Sequence, residues 1–278
     1  MALLQFTNAS FNDLQISKLD WSIDRRDAKQ NDFFKSPKYI ANAKQNGFYK
    51  NNKPLPPTYK RNKYGFRSDE FFKTDSFIAL GDSNTYGAYQ YEERTWPSYL
   101  TESLGIKNFN LGVPGASIAQ CYVVLRKYID LIRPKYVFLL IPNLARNYTW
   151  LDDNYYGYNI EDESTFSDNT ALKKKYSKDT LLILDSIEID STNSLELQEL
   201  NYYKYTDAIY NVCEEYGAKL VYLLNPSCPH RHYFRVQDMV VDDSYALDYR
   251  HFGHLYMKRI ADYFFKNYDS KKNCEDFI

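Results

Sequence analysis

The chain has 278 residues, a formal net charge of −1 and four cysteines. This length accommodates one sizeable α/β domain with additional segments, and the near-neutral charge supplies no general field for nucleic acid or an anionic bilayer. Cys121, Cys213, Cys228 and Cys274 form no Cys-x-x-Cys pair, so their spacing indicates free thiols rather than a disulfide framework or a zinc site.

Residues 1–60 are predicted to form an N-terminal arm or small cap. Lys53-Pro54-Leu55-Pro56-Pro57 excludes a helix or a central strand, because proline lacks the amide donor. Residues 1–75 contain 14 Lys+Arg and 8 Asp+Glu, with tyrosines interleaved. This basic segment has two interpretations, a nucleic-acid surface or an arm wrapped over the acidic remainder of the chain. We favour the second and expect no nucleic-acid partner.

The stretch Phe77-Ile78-Ala79-Leu80-Gly81-Asp82-Ser83-Asn84-Thr85-Tyr86-Gly87 predicts a buried strand that ends in a turn carrying a nucleophile. Ligands of open α/β sheets bind beyond the carboxyl ends of the strands, where Ser83 would lie. Gly81 and Gly87 bracket the turn with the residue type that best tolerates unusual backbone angles. A Ser-Asn-Thr sequence is equally typical of a solvated turn, so the assignment depends on a base elsewhere in the chain.

Helices and strands alternate after this turn. We predict a helix from Thr95 to Gly105, a strand over 107–111, a helix capped by Ser117 that ends before Pro134, and a buried strand over 136–141. A helix over 195–216, a strand over 219–224 and a last helix over 251–265 follow; the last helix turns Leu255, Ile260, Tyr263 and Phe264 inward. The pattern predicts an α/β fold with a mostly parallel, doubly wound, flavodoxin-like sheet.

Two strand ends supply candidate oxyanion donors. Gly112 follows the strand over 107–111, and Asn143 follows the strand over 136–141. Ligands gather at the carboxyl edge of such a sheet, so we predict that the N–H groups of Ser83 and Gly112 and the side-chain amide of Asn143 bind an oxyanion. Arg146 is a candidate contact for an anionic substrate group, or else one half of a surface ion pair.

The segment Asp248-Tyr249-Arg250-His251 supplies an imidazole and a carboxylate near the C-terminus. We predict that His251 accepts the proton of Ser83 and that Asp248 orients the imidazole. His254 is the alternative base. His230 and His232 match no strong metal-binding spacing, so neither a metal nor a cofactor is expected.

Residues 147–200 are predicted to be an insertion at the mouth of this site. They contain 12 acidic residues and 4 lysines, and they include Tyr155-Tyr156-Gly157-Tyr158. In a lid or platform these tyrosines would stack on sugar rings. In a chain with 28 tyrosines, such a cluster also arises without a function.

Ser83, Gly112, Asn143 and His251 follow the order of the four sequence blocks of the SGNH hydrolases, also called GDSL-type esterases. The chain resembles this family over residues 64–147 and 205–268. In the third block the family usually has Gly-x-Asn-Asp, of which Ile141-Pro142-Asn143-Leu144 keeps the asparagine. The resemblance implies a three-layer α/β/α domain, here residues 61–278, and hydrolysis of esters or thioesters by a Ser-His-Asp mechanism.

These features predict a serine esterase that needs no cofactor and acts on a small acyl ester, with a carbohydrate O-acetyl group preferred. The alternative is a catalytically inactive binding or structural module of the same fold, favoured by the shortened third block and the additional segments. The sequence from Met1 to Phe6 lacks a basic region and a long apolar run, so neither a signal peptide nor a membrane span is expected. We therefore predict a cytoplasmic protein, with virion association as a second setting; the oligomeric state is left open.

Overall fold

A computed structural model of the chain describes residues 37–45, 47–50, 53–54, 57, 59–143, 146–151, 154–159, 177–178, 195–224, 246 and 251–269. The helices are α1 (Pro37–Gln45), α2 (Ser83–Tyr86), α3 (Trp96–Leu104), α4 (Ile118–Ile132), α5 (Leu195–Glu215) and α6 (His254–Asn267), with a short 3-10 helix at Glu92–Arg94. The strands are β1 (Tyr49–Lys50), β2 (Lys53–Pro54), β3 (Ser76–Leu80), β4 (Lys107–Asn110), β5 (Tyr136–Ile141), β6 (Arg146–Leu151), β7 (Asn154–Asn159) and β8 (Lys219–Leu224).

Within the described residues, four strands form a parallel sheet in the order β4-β3-β5-β8. In its register Ala79 lies opposite Asn110, and Leu80 lies opposite Leu139. The chain moves from β3 to β4 on one side and then returns to β5 on the other side. The boundary between β3 and β5 is therefore a topological switch point, where open α/β sheets form a crevice.

Helices cover both faces of this sheet. On one face, Ile78 and Leu80 of β3 pack in an apolar cluster with α4 and α5. On the other face, Phe77 and Ala79 pack in a second cluster with α3 and α6. Successive β3 side chains enter opposite layers because side chains alternate along a strand. The three-layer α/β/α fold with a doubly wound parallel sheet is confirmed.

The last helix differs from its predicted position. It begins at His254, with Gly253 as its extended N-cap, instead of at His251. The carbonyl of His251 accepts a hydrogen bond from the Ala246 N–H, which holds His251 in the segment before the helix. The inward prediction for Leu255 is wrong, because this side chain is 44% exposed. The buried stripe of α6 consists of Tyr256, Met257, Ile260, Ala261 and Phe264, and Tyr263 is half-buried.

The described part of the N-terminal segment packs beside the turn that follows β3. Ala43 of α1 and Phe48 are fully buried in a third cluster, together with Tyr86, Ala88, Tyr89 and Ala246. β1 and β2 form a two-residue antiparallel pair. The division of the chain at residue 60 stays a prediction.

The predicted insertion begins as an antiparallel hairpin. Its strands β6 and β7 pair with Arg146 opposite Asn159 and Leu151 opposite Asn154. Most of residues 160–194 lie outside the described part. Within that part, no helix has both the length and the apolar character needed to cross a bilayer.

Candidate active site

The turn after β3 is built around two glycines. Gly81 has φ +152°, and a Cβ there would lie 2.2 Å from Thr85 Oγ1 and 2.6 Å from the carbonyl oxygen of Leu140. Asp82 then caps α2, since its side chain accepts a hydrogen bond from Asn84 N–H at 2.9 Å. Gly87 ends this single helical turn at φ +75°. Ser83 is therefore the first residue of α2, at the carboxyl end of β3.

Ser83 meets an imidazole from the far end of the chain. Nε2 of His251 lies 3.0 Å from Ser83 Oγ, and the Ser83 residue is 6% exposed. A neutral imidazole with its proton on Nδ1 accepts the serine proton at this distance. The contact therefore places a serine hydroxyl within hydrogen-bonding distance of an imidazole, the arrangement that activation of a serine requires.

The segment around His251 is held by contacts from the nucleophile side. Gln90 Nε2 donates to the carbonyl of Phe252 at 3.0 Å, and Asn84 Oδ1 lies 3.5 Å from Phe252 N. The ring of Tyr89 lies 5.7 Å from the imidazole ring, measured between centroids, at an interplanar angle of 32°. His251 is thus positioned by the loop that follows α2.

The alternative base, His254, is the first residue of α6. Burial lowers the pKa of His254, and the charge of Arg94 lowers it further. The imidazole that the structure brings onto Ser83 belongs to His251. Asp248 lies outside the described residues, and its role as the orienting carboxylate stays a prediction.

The predicted oxyanion donors lie beyond neighbouring strand ends. Asn143 is 4% exposed and follows β5, next to β3 in the sheet. Gly112 N–H donates to Asn110 Oδ1 at 2.9 Å, so this amide is already engaged. A Cβ on Gly112 would lie 2.3 Å from Tyr86 N, which shows that the loop needs glycine to pack against α2. Ser83 N–H, in the first turn of α2, has no intrahelical acceptor.

The other predicted site residues lie elsewhere or outside the described part. Arg146 is the first residue of β6, and only its backbone is described. His230 and His232 lie outside the described residues. Among the residues that are described, no group of three or more His, Cys, Asp and Glu side chains has a metal-binding arrangement.

Sequence reasoning missed the contribution of Arg67. It belongs to the basic segment that we interpret as an arm wrapped over the acidic remainder of the chain, but it is 2% exposed, and its guanidinium donates to the carbonyls of Tyr86, Gly87 and Gln90. The available signal was its place in Tyr64-Gly65-Phe66-Arg67, in the segment that leads into β3. Burial of an isolated arginine has no signature in composition.

Comparison with known proteins identifies one family. Its description is GDSL-like Lipase/Acylhydrolase, and its model matches residues 77–250, well over half of the chain. No curated protein matches the chain.

Several solved structures of esterases are similar to the chain. An esterase from Pseudoalteromonas sp. is 14% identical, covering 70% of this chain and 97% of its own, with a TM-score of 0.35. A catalytic mutant of an acetylxylan esterase from Geobacillus stearothermophilus is also 14% identical, covering 72% and 97%, with a TM-score of 0.33. The family assignment rests on the match over residues 77–250. The chain belongs to the GDSL-like lipase/acylhydrolase family, whose members are hydrolases that act on esters.

Proposed function

We propose that the protein is a serine esterase that removes a small acyl group, with an O-acetyl group on a carbohydrate as the preferred substrate. The observation that carries this proposal is the 3.0 Å contact between His251 Nε2 and Ser83 Oγ at the switch point of the sheet. A hydroxyl and an imidazole separated by 168 residues meet there in hydrogen-bonding geometry.

The proposed reaction has two halves. Ser83 Oγ attacks the ester carbonyl while His251 Nε2 takes its proton, and His251 then gives that proton to the departing alcohol. Water, deprotonated by the same imidazole, next attacks the acyl-enzyme, and Ser83 recovers its proton as the acid leaves. Asp248 is proposed to bind Nδ1–H of His251 and so to keep Nε2 available as the acceptor.

We assign the stabilisation of the negative charge that develops on the carbonyl oxygen to two donors, Ser83 N–H and the Asn143 side-chain amide. These residues follow adjacent strands. Gly112 N–H joins them only if it exchanges its bond to Asn110 Oδ1 for the oxyanion. Arg146, three residues after Asn143, is proposed to contact an anionic group on the substrate. Replacing Arg146 with Gln should then raise KM for an anionic ester more than for a neutral ester.

The preference for a carbohydrate ester is based on the hairpin that follows Asn143. β6 and β7 contain Tyr148, Trp150, Tyr155, Tyr156 and Tyr158 within a few residues of one another. Tyr and Trp side chains present an apolar face and a polar edge, a combination that suits contact with sugar rings. The hairpin begins three residues after a proposed oxyanion donor.

The test compares the wild type with Ser83→Ala on p-nitrophenyl acetate, p-nitrophenyl octanoate, acetylated xylan oligosaccharides and an acyl-thioester. We expect turnover of the acetyl esters, the highest kcat/KM on the acetylated oligosaccharide, and a loss of about 10⁴-fold or more in Ser83→Ala. A fluorophosphonate should label wild-type Ser83 alone. Without label or turnover, the chain is a binding module; preference for octanoate would contradict the carbohydrate assignment.

A further inference from the structure

We propose that Arg67 and Tyr59 are positioning residues for this reaction. They hold the loop Gly87–Gln90 in the conformation that keeps His251 on Ser83. The inference rests on the proposed function, since it concerns the base of that site. Neither residue contacts the nucleophile, so both would act through the loop.

The guanidinium of Arg67 binds two carbonyls of the loop and the carbonyl of the last residue of α2. Nη1 donates to Gly87 O at 2.6 Å and to Tyr86 O at 3.3 Å, and Nη2 donates to Gln90 O at 3.0 Å. Its carbon Cζ lies 4.7 Å from the centroid of the Tyr59 ring. Within the described part of the chain, no carboxylate forms a direct ion pair with this buried charge. Burial lowers the pKa of Arg67, although the charges of Glu92 and Glu93 raise it and so favour the charged form. Arg67 is therefore compensated by the loop carbonyls and an aromatic face.

The loop needs such support because it contains a strained residue. Tyr89 has φ +59°, in the left-handed region that non-glycine residues seldom occupy. Its N–H donates to Tyr59 Oη at 2.7 Å, and its side chain is 1% exposed with the ring beside His251. A strained backbone conformation persists only where surrounding contacts hold it in place, and such positions cluster at functional sites. Tyr59 binds the backbone of Tyr89 itself, and Arg67 binds the carbonyls on both sides of it.

Gln90 extends the same connection to the backbone of the base segment. It is fully buried; its carbonyl accepts from Arg67, and its Nε2 donates to Phe252 O at 3.0 Å. Its Oε1 has no hydrogen-bond partner in the described part of the chain. The amide therefore connects the loop to the residue next to His251, and its removal would leave the Phe252 carbonyl without this donor.

These contacts form two paths from residues 59–67 to the base. One path runs from Tyr59 through Tyr89 to the imidazole face, and the other from Arg67 through Gln90 to Phe252. Reacting groups must be held within a fraction of an ångström for efficient catalysis. Loosening the loop should therefore slow proton transfer from Ser83 before it alters substrate binding.

The experiment compares Arg67→Lys, Arg67→Met and Tyr59→Phe with Arg126→Met, a control that removes an exposed arginine paired with Glu215. The readouts are the rate of Ser83 labelling by a fluorophosphonate, kcat and KM on p-nitrophenyl acetate, and the unfolding midpoint. For Arg67→Met we expect labelling and kcat to fall about 30- to 100-fold with KM within about threefold. Arg67→Lys should recover part of this loss, and Tyr59→Phe should lose about 3- to 10-fold.

Arg126→Met should retain wild-type labelling. Wild-type labelling by folded Arg67→Met and Tyr59→Phe would overturn the inference. If Arg67→Met does not fold, Tyr59→Phe and Gln90→Met, which removes the donation to Phe252, decide by the same criterion.

A second measurement separates this inference from the proposed function. The imidazole resonances of His251, assigned by comparison with His251→Gln, should shift in Arg67→Met and stay unchanged in Arg126→Met. If the wild type fails to label and turns over no ester, the proposed function is wrong, and these resonances alone test the positioning of His251. Unchanged His251 resonances in Arg67→Met would then overturn the inference.

Discussion

Ser83 and His251 are held in place by different kinds of structure. Ser83 is positioned by neighbours in sequence: β3 before it, Gly81 and Asp82 at the turn, and Gly87 at the end of α2. His251 precedes its helix and is positioned by distant residues, including Gln90, which donates to Phe252 across 162 residues of sequence. A change in the turn around Ser83 should therefore affect stability and activity together, whereas replacing the His251 side chain should affect mainly activity.

The largest expected effect concerns His251. His251→Ala should lower kcat on p-nitrophenyl acetate by about 10⁴-fold or more, since Ser83 loses its proton acceptor. Its unfolding midpoint in urea should stay close to that of the wild type. The matched variant His254→Ala should retain kcat within about threefold. An equal loss of kcat in both variants would contradict the assignment of His251.

Gly112→Ala tests the surroundings of Ser83, because Gly112 packs against α2. The added methyl would meet backbone atoms of Thr85 and Tyr86 at 2.7 Å and 2.3 Å, so the loop and α2 must separate. We expect the free energy of unfolding to fall by about 2–3 kcal/mol, measured in urea, and kcat to fall as well. In the control Gly217→Ala, the added Cβ has no atom within 4 Å. Its only cost is the backbone strain of a non-glycine residue at φ +67°. This control should lose about 1 kcal/mol and keep its activity.

A smaller effect concerns the packing behind α2. Trp96 is fully buried, and its Nε1 donates to Thr85 Oγ1 at 3.3 Å. Trp96→Phe and Thr85→Val should each lower the free energy of unfolding by about 1–2 kcal/mol. The double variant should lose less than the sum, because both changes remove the same hydrogen bond. Additive losses would show that this bond contributes nothing.

The smallest effect is the pH dependence contributed by His254. Burial lowers the pKa of this imidazole in the folded chain, so the unfolded chain binds more protons as the pH falls. The free energy of unfolding should therefore decrease as pH drops through the unfolded value of about 6.5. In His254→Gln, urea unfolding between pH 7.5 and pH 5 should show a smaller decrease. A steeper decrease in the variant would contradict this assignment.

Much of the fold follows from periodicity and end signals. The ranges predicted for β5 and β8 match the structure, and Ser117 caps α4 as expected. These elements are long apolar runs or carry a recognisable cap, so local chemistry specifies them. The predicted start of α6 is three residues early, because the bond between Ala246 and His251 that keeps His251 out of the helix is a tertiary contact.

The candidate site was predictable only in part. The contact between Ser83 and His251 was predictable, because a serine hydroxyl needs a base to accept its proton and because both residues follow the order of the family's sequence blocks. Donation of Gly112 N–H to Asn110 was not predicted, and neither was the left-handed Tyr89. Both depend on which backbone groups the folded loop brings together, and no residue pattern encodes that choice.

The separation of 168 residues between Ser83 and His251 has a consequence for the timing of synthesis. A nascent chain that has emerged as far as β8 contains the parallel strands that the structure describes and the turn that carries Ser83, but not His251. Contacts across so many residues close late, because the ordering entropy of the intervening chain must first be overcome. Hydrolytic activity should therefore arise in one of the last steps of folding, when the segment before α6 docks beside the turn that carries Ser83.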